Sequence, residues 1–185
     1  MVVLAVSGSL RRDSHNTQLL RAAVEAAPEG VEVELWAGLG DLPLYDQDID
    51  TSEPVESVRR LREAWGAADA ILFSTPEYNG SVPGGLKNAI DWASRPVRES
   101  ALTNQTVSVI GASPGQFGAT WAQQDLRKIL GVAGARVVGN ELPVARAHKQ
   151  FDHEGRLLDA ELSGRLRLVL ETLASEAVVR GPVAA

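Results

Sequence analysis

Gly8-Ser9-Leu10-Arg11-Arg12-Asp13-Ser14-His15-Asn16-Thr17 is the stretch whose reading decides the fold of this chain. It follows five apolar residues, 2–6, and leads into Gln18-Leu19-Leu20-Arg21-Ala22-Ala23-Val24, where apolar side chains recur at helical spacing. That order gives a strand, a loop and the start of a helix. Exposed N–H groups at a helix N-terminus attract anions, Arg11 or Arg12 adds positive charge, and Ser9, Ser14, Asn16 and Thr17 add neutral donors. A phosphate suits such a loop. Ser9, Ser14 and Asn16 also read as ordinary helix caps, and capping coexists with phosphate binding at different positions.

Outward from that loop, strands and helices alternate. The first helix should end near Pro28-Glu29-Gly30, and residues 31–36 alternate apolar and polar side chains as a half-exposed strand does. A long loop over residues 41–50 carries aspartates at every second place near its end. It fails as a calcium loop, because counting from Asp46 puts Thr51 where glycine is needed and Ser57 where glutamate is needed. Val55, Val58, Leu61 and Trp65 mark a second helix over residues 54–68, and residues 70–75 form a continuous apolar strand covered on both faces. Pro83 suits the first turn of a third helix that runs to Trp92. Residues 105–112 read as a fourth strand, 118–130 as a fourth helix, 135–138 as a fifth strand and 157–178 as a last helix, with a frayed tail after Arg180. Five strands alternating with helices predict a parallel sheet covered on both sides, with ligands beyond the carboxyl ends of its strands. The loops starting at Ser7, Pro76 and Ser113 converge there.

At 185 residues the chain is expected to be one domain over residues 1–185. A formal net charge of -6 argues against a nucleic-acid partner, which calls for a basic footprint. The apolar start is too short for a secretion signal or a membrane span, so a cytoplasmic protein with no membrane partner is expected. There is no cysteine, so any redox role needs a bound cofactor rather than thiols or iron–sulfur clusters. The three histidines, His15, His148 and His153, are too scattered for a metal site and read as surface residues.

The second loop, Pro76-Glu77-Tyr78-Asn79-Gly80-Ser81-Val82-Pro83-Gly84-Gly85, combines glycines that permit close backbone approach with Glu77 and Asn79, which suit the polar edge of a flat heterocycle. The third, Ala112-Ser113-Pro114-Gly115-Gln116-Phe117-Gly118, is again glycine-rich and precedes a helix. With Gly111 it also spells the G-x-S-x-G nucleophile elbow of a hydrolase, but the elbow draws an oxyanion donor from the residue after the nucleophile, and Pro114 has no N–H. Losing one such donor costs about 100-fold or more in rate.

Gly8-Ser9-Leu10-Arg11 with Ser14 and Asn16, then Pro76-Glu77-Tyr78-Asn79-Gly80-Ser81 and Gly85-Leu86-Lys87-Asn88-Ala89-Ile90-Asp91-Trp92, resembles the NADPH-dependent FMN reductase family of flavodoxin-like flavoproteins. The resemblance implies a doubly wound sheet of five parallel strands in the order 2-1-3-4-5. It implies bound FMN, with Ser9, Arg11, Ser14, Asn16 and Thr17 around the phosphate. Pro76, Glu77, Tyr78, Asn79 and Gly80 would line the isoalloxazine ring and ribityl chain, and Ser113 and Gly115 would complete the flavin wall. It further implies NADPH or NADH as co-substrate, with a quinone, free flavin, azo compound or chromate as the small-molecule acceptor. Dimers or tetramers with the flavin near a subunit boundary are also implied. Ala119 and Trp121 depart from the glycine and arginine of many family members. The alternative is a flavodoxin-like electron carrier that makes no direct use of nicotinamide; the paired aromatics that would sandwich a carrier's flavin are not evident in the sequence.

Overall fold

The computed structural model describes residues 1–177. The sequence reading of the last helix out to Val178, and of the tail after Arg180, extends outside the described residues. The elements run β1 Val2–Ser7, α1 His15–Glu25, β2 Glu32–Trp36, α2 Glu56–Ala67, β3 Ala70–Thr75, α3 Gly84–Ala93, β4 Thr106–Ala112, α4 Thr120–Val132, β5 Arg136–Val137, β6 Leu142–Val144 and α5 Ala160–Glu176. All pairings in the sheet are parallel, in the order β2-β1-β3-β4-β5. The expected flavodoxin-like winding is therefore present.

The central strands are apolar on both faces because helices cover both. Every residue of β3 and β4 is buried, whereas the edge strand β2 exposes Glu32, Glu34 and Leu35. On one face Trp65, Phe73, Leu86, Trp92 and Leu126 pack together from α2, β3, α3 and α4. On the other, Leu19, Leu20, Leu72, Leu166 and Leu170 join α1 and α5 to the sheet. Of the four residues read as the apolar face of α2, Val58, Leu61 and Trp65 are fully buried, whereas Val55 is exposed at the N-cap; Trp65 meets Phe73 edge-on at 5.1 Å between ring centroids. Each such side chain contributes about 1.5–3 kcal/mol of transfer free energy.

Several boundaries differ from the sequence reading, the larger shifts for local reasons. Helix α1 starts at His15, because Ser14 Oγ accepts the N–H groups of Asn16 and Thr17 and so caps it. Helix α5 starts at Ala160 behind the Asp159 cap, since Phe151 and Leu157 pair across a tight turn just before it. The fifth strand position is shared by two short pieces. β5 pairs with the start of β4, and β6, which the sequence reading leaves out, pairs with Ile110, Gly111 and Ala112 at its end. Between them Gly139 has φ +67, a left-handed conformation that a continuous strand does not tolerate.

Helix α4 in turn begins at Thr120 rather than Gly118, because Gly118 and Ala119 are both left-handed, with φ of 59 and 62. The return of β6 explains the first of these. A Cβ on Gly118 would lie 2.7 Å from Pro143 C and Val144 N. Gly118→Ala therefore should lower stability by about 1–3 kcal/mol, since backbone must move at a left-handed position. The fall is read as an earlier urea midpoint with an unchanged slope.

Candidate functional site

Parallel strands that end flush leave their next residues side by side. Ser7 pairs with Ser74, and Ser74 with Ile110, so the turns after β1, β3 and β4 open on the same edge of the sheet. Gly8 closes the first gap: its N–H donates to Ser74 O at 2.8 Å, and a Cβ there would stand 2.8 Å from Leu86 Cδ2. Asn16 closes the second. Its Oδ1 accepts from Ser74 Oγ at 2.8 Å and from Ala112 N–H at 2.9 Å, while Nδ2 donates to Ala112 O at 3.0 Å. One buried amide thus ties α1 to the ends of β3 and β4.

Between the loops lies a crevice of about 180 Å³. Ser9, Arg11, Ser14, His15 and Asn16 of the first loop and α1 line it, together with Pro76, Tyr78, Ala112 and Pro114 from the ends of β3 and β4 and their loops. Among the described residues no carboxylate lines it. Arg11, the Ser9 and Ser14 hydroxyls and the N-terminal turn of α1 are the donor set of an anion site. The side chains of Pro76, Ala112 and Pro114 are apolar, and Tyr78 is aromatic. An anionic group with an adjoining ring suits that combination. A larger hollow of about 770 Å³ lies between the segment after β2, α2 and the turn after α3. There Arg62 is already engaged by Asp50 at 2.8 Å and by the Trp92 carbonyl at 3.0 Å, and it lacks the convergence of loops that the crevice has.

The residues read from sequence divide by what their side chains do. Ser9, Arg11, Ser14, Asn16, Pro76 and Tyr78 line the crevice. Ser14 accepts two N–H groups, which leaves its hydroxyl hydrogen free to donate. Asn16 spends its amide on the staple described above. Thr17 Oγ1 lies 2.9 Å from Ser7 Oγ, so it braces the first loop from behind. Arg11, Arg12 and Asp13 are exposed.

In the second loop, Tyr78 and Ser81 exchange backbone hydrogen bonds at 3.0 and 3.2 Å around Asn79 and Gly80, whose φ values are 53 and 76. Two successive left-handed residues of sequence Asn-Gly make a type I′ turn. The side chain of Glu77 turns to α4, where Oε2 accepts the Ala122 N–H at 3.1 Å. That bond replaces a missing cap, because Ala119 at the N-cap has no side-chain acceptor.

In the third loop, Ser113 Oγ accepts the N–H of Gly115, while Ser113 N–H and O pair with Val144 and Ala147. The hydrolase reading gains nothing from this, since the hydroxyl oxygen is turned to its own backbone. His15, Ala112 and Pro114 line the crevice without having been singled out as ligand contacts. His15 departs from a plain surface role: it is half-buried, its Nδ1 lies 3.1 Å from Gln18 Oε1, and its ring faces Phe151 at 6.3 Å between centroids. Its place as the first residue of α1 was the available signal.

Comparison with known proteins agrees with this geometry. Residues 1–149 match the family described as NADPH-dependent FMN reductase. An NAD(P)H-dependent FMN reductase of Pseudomonas aeruginosa is 41% identical over 172 residues, 92% of each chain. A quinone reductase of Pseudomonas putida is 40% identical over 158 residues, 85% of this chain and 84% of that one. Among solved structures, the flavoenzyme NAD(P)H:(acceptor) oxidoreductase FerB of Paracoccus denitrificans superposes with a TM-score of 0.83 at 34% identity. That match covers 96% of this chain and 99% of the other.

Asn16→Ala tests the staple. It leaves the buried Ala112 N–H without its acceptor, a cost of about 1–3 kcal/mol, and the loss should appear as a lower urea midpoint in the protein without added ligand.

Proposed function

This chain belongs to the NADPH-dependent FMN reductase family, and from that membership we propose that its FMN lies in the crevice between the Gly8, Pro76 and Ser113 loops. The protein is an FMN-binding oxidoreductase that takes electrons from NAD(P)H and passes them to small acceptors of the quinone type. The single observation that carries the placement is that Arg11 and the Ser9 and Ser14 hydroxyls line one crevice with Pro76, Tyr78, Ala112 and Pro114, and no carboxylate among the described residues joins them.

On this reading Arg11, the hydroxyls of Ser9 and Ser14 and the His15 N–H at the start of α1 hold the phosphate, while Ser14 Oγ takes the N–H groups of Asn16 and Thr17. Asn16 and Thr17 act one step back, keeping that loop in place through Ala112, Ser74 and Ser7. Pro76, Tyr78, Asn79 and Gly80 face the ring, and the left-handed turn at Asn79 and Gly80 leaves their backbone open to it. Glu77 serves the same wall by anchoring it to α4. Ser113 and Gly115 close the third side, where Ser113 Oγ fixes the Gly115 N–H. The chemistry that bound FMN supplies is hydride acceptance from NAD(P)H followed by two-electron delivery to the acceptor. No side chain of the crevice is assigned as nucleophile or obligatory acid; the protein binds, orients and leaves one side open for donor and acceptor in turn.

The same proposal takes residues 1–185 as one domain working in the cytoplasm. Among the described residues no helix is long and apolar enough to cross a membrane. It also takes the working form as a dimer or tetramer with the flavin near a subunit boundary. Support comes from Leu10, Tyr78, Phe117 and Trp121, large apolar side chains of these loops and of the first turn of α4 that are about half exposed or more. Phe117 and Trp121 lie 4.9 Å apart between ring centroids.

Purified protein mixed with FMN and desalted should retain flavin and then oxidise NADPH or NADH with benzoquinone under anaerobic conditions. Arg11→Ala should weaken FMN about tenfold or more, the worth of a charged phosphate contact of roughly 1.5–3 kcal/mol, and should leave riboflavin binding unchanged. Equal loss for both flavins would remove the phosphate from this loop.

A further inference from the structure

The turn proposed to face the ring is held from outside the crevice. Its two flanking residues reach the same helix: Glu77 Oε2 accepts from Ala122 N–H at 3.1 Å, and Ser81 Oγ donates to Asp125 Oδ2 at 2.6 Å. Ala122 and Asp125 are three residues apart and so lie on one face of α4. The turn itself has little else to rest on. Asn79 and Gly80 are exposed, and a Cβ built on Gly80 meets nothing within 4 Å. The short reciprocal pairing of Tyr78 and Ser81 sets the turn's shape but not its position relative to the sheet.

Asp125 is half-buried, and among the described residues no ion pair engages it. Its carboxylate faces the Ser81 hydroxyl, a short charge-assisted bond of the kind stronger than a neutral pair. Glu77 has a second duty as the cap of α4, whereas Asp125, one turn inside the helix, has no capping role to explain it. The sequence reading passed over this aspartate.

We propose that Asp125, acting through Ser81, is a positioning residue of the flavin site. It fixes the Asn79-Gly80 turn against the isoalloxazine ring, and it governs ring-end affinity and the reduction potential of the bound flavin while contributing nothing to phosphate capture. The inference rests on the placement of FMN given above, and it divides the site into a tail end built on α1 and a ring end built on α4.

The test compares wild type, Asp125→Ala, Asp125→Asn and Ser81→Ala, each titrated with FMN and with riboflavin. The midpoint potential and visible spectrum of each flavin-loaded protein are then measured. Asp125→Ala and Ser81→Ala should each weaken both flavins about two- to tenfold, the range of one hydrogen bond, with the FMN-to-riboflavin affinity ratio unchanged. Both should shift the potential and blur the fine structure of the main visible band. Asp125→Asn keeps an acceptor oxygen and should restore wild-type behaviour, and the double variant S81A/D125A should be no worse than either single one. Wild-type potential and spectrum in both alanine variants would overturn the proposal, as would loss of the preference for FMN over riboflavin in Asp125→Ala. Because Ser81 sits on an exposed turn, its variant reports even if Asp125→Ala fails to fold. Wild-type protein that takes up neither flavin overturns the placement of FMN and this inference together.

Discussion

The hydrogen bonds of the Asn16 side chain are the constraint on which the rest of the site depends. Where parallel strands stop, their last peptide groups lose the neighbours that paired the groups before them, and a buried one without a partner costs about 1–3 kcal/mol. Asn16 answers this for Ala112 with both halves of its amide and takes Ser74 as well. Satisfying those groups from α1 forces the first turn of that helix against the ends of β3 and β4. The crevice is what remains between elements held that closely but not in contact.

Gln123 does the equivalent work on the other side of the sheet end. It is buried, donates to Gly118 O at 3.0 Å and accepts from Leu142 N–H at 3.1 Å, so it joins α4 to the returning strand β6. Two side-chain amides of complementary donor and acceptor sets therefore fix α1 and α4 to the same edge. The apolar layers supply the bulk of the stabilisation but are tolerant of small shifts, whereas these amides are directional. The loops at that edge are held by the second kind of restraint.

The three loops are consequently of different character. The first is local in shape, since Ser14 caps the helix that follows it and Ser9 accepts the Arg11 N–H, and it is tied to the sheet by Gly8 and Asn16. The second is a tight Asn-Gly turn whose shape is local and whose position is borrowed from α4. The third is set by β6, through Val144, Arg146 and Ala147. Flavin chemistry asks little of side-chain reactivity and much of such placement, which is why a chain without cysteine can carry it.

The alternation of buried strands and amphipathic helices was legible in the sequence because each strand and helix declares itself through a period of two, a continuous apolar run or a period of 3.6 residues. The Ser14 cap was legible for the same reason, since its geometry depends on neighbours a few residues away. The split of the fifth strand was not, because β5 and β6 are too short to show a period and take their partners from β4. Nor were the destinations of Asn16, Glu77 and Ser81, whose partners stand 96, 45 and 44 residues further along the chain. Local pattern determined which elements exist and which loops meet. Only the tertiary structure decided which polar side chains line the crevice and which hold its walls, because a hydrogen bond needs its donor and acceptor within about 3 Å and only the folded chain brings them there.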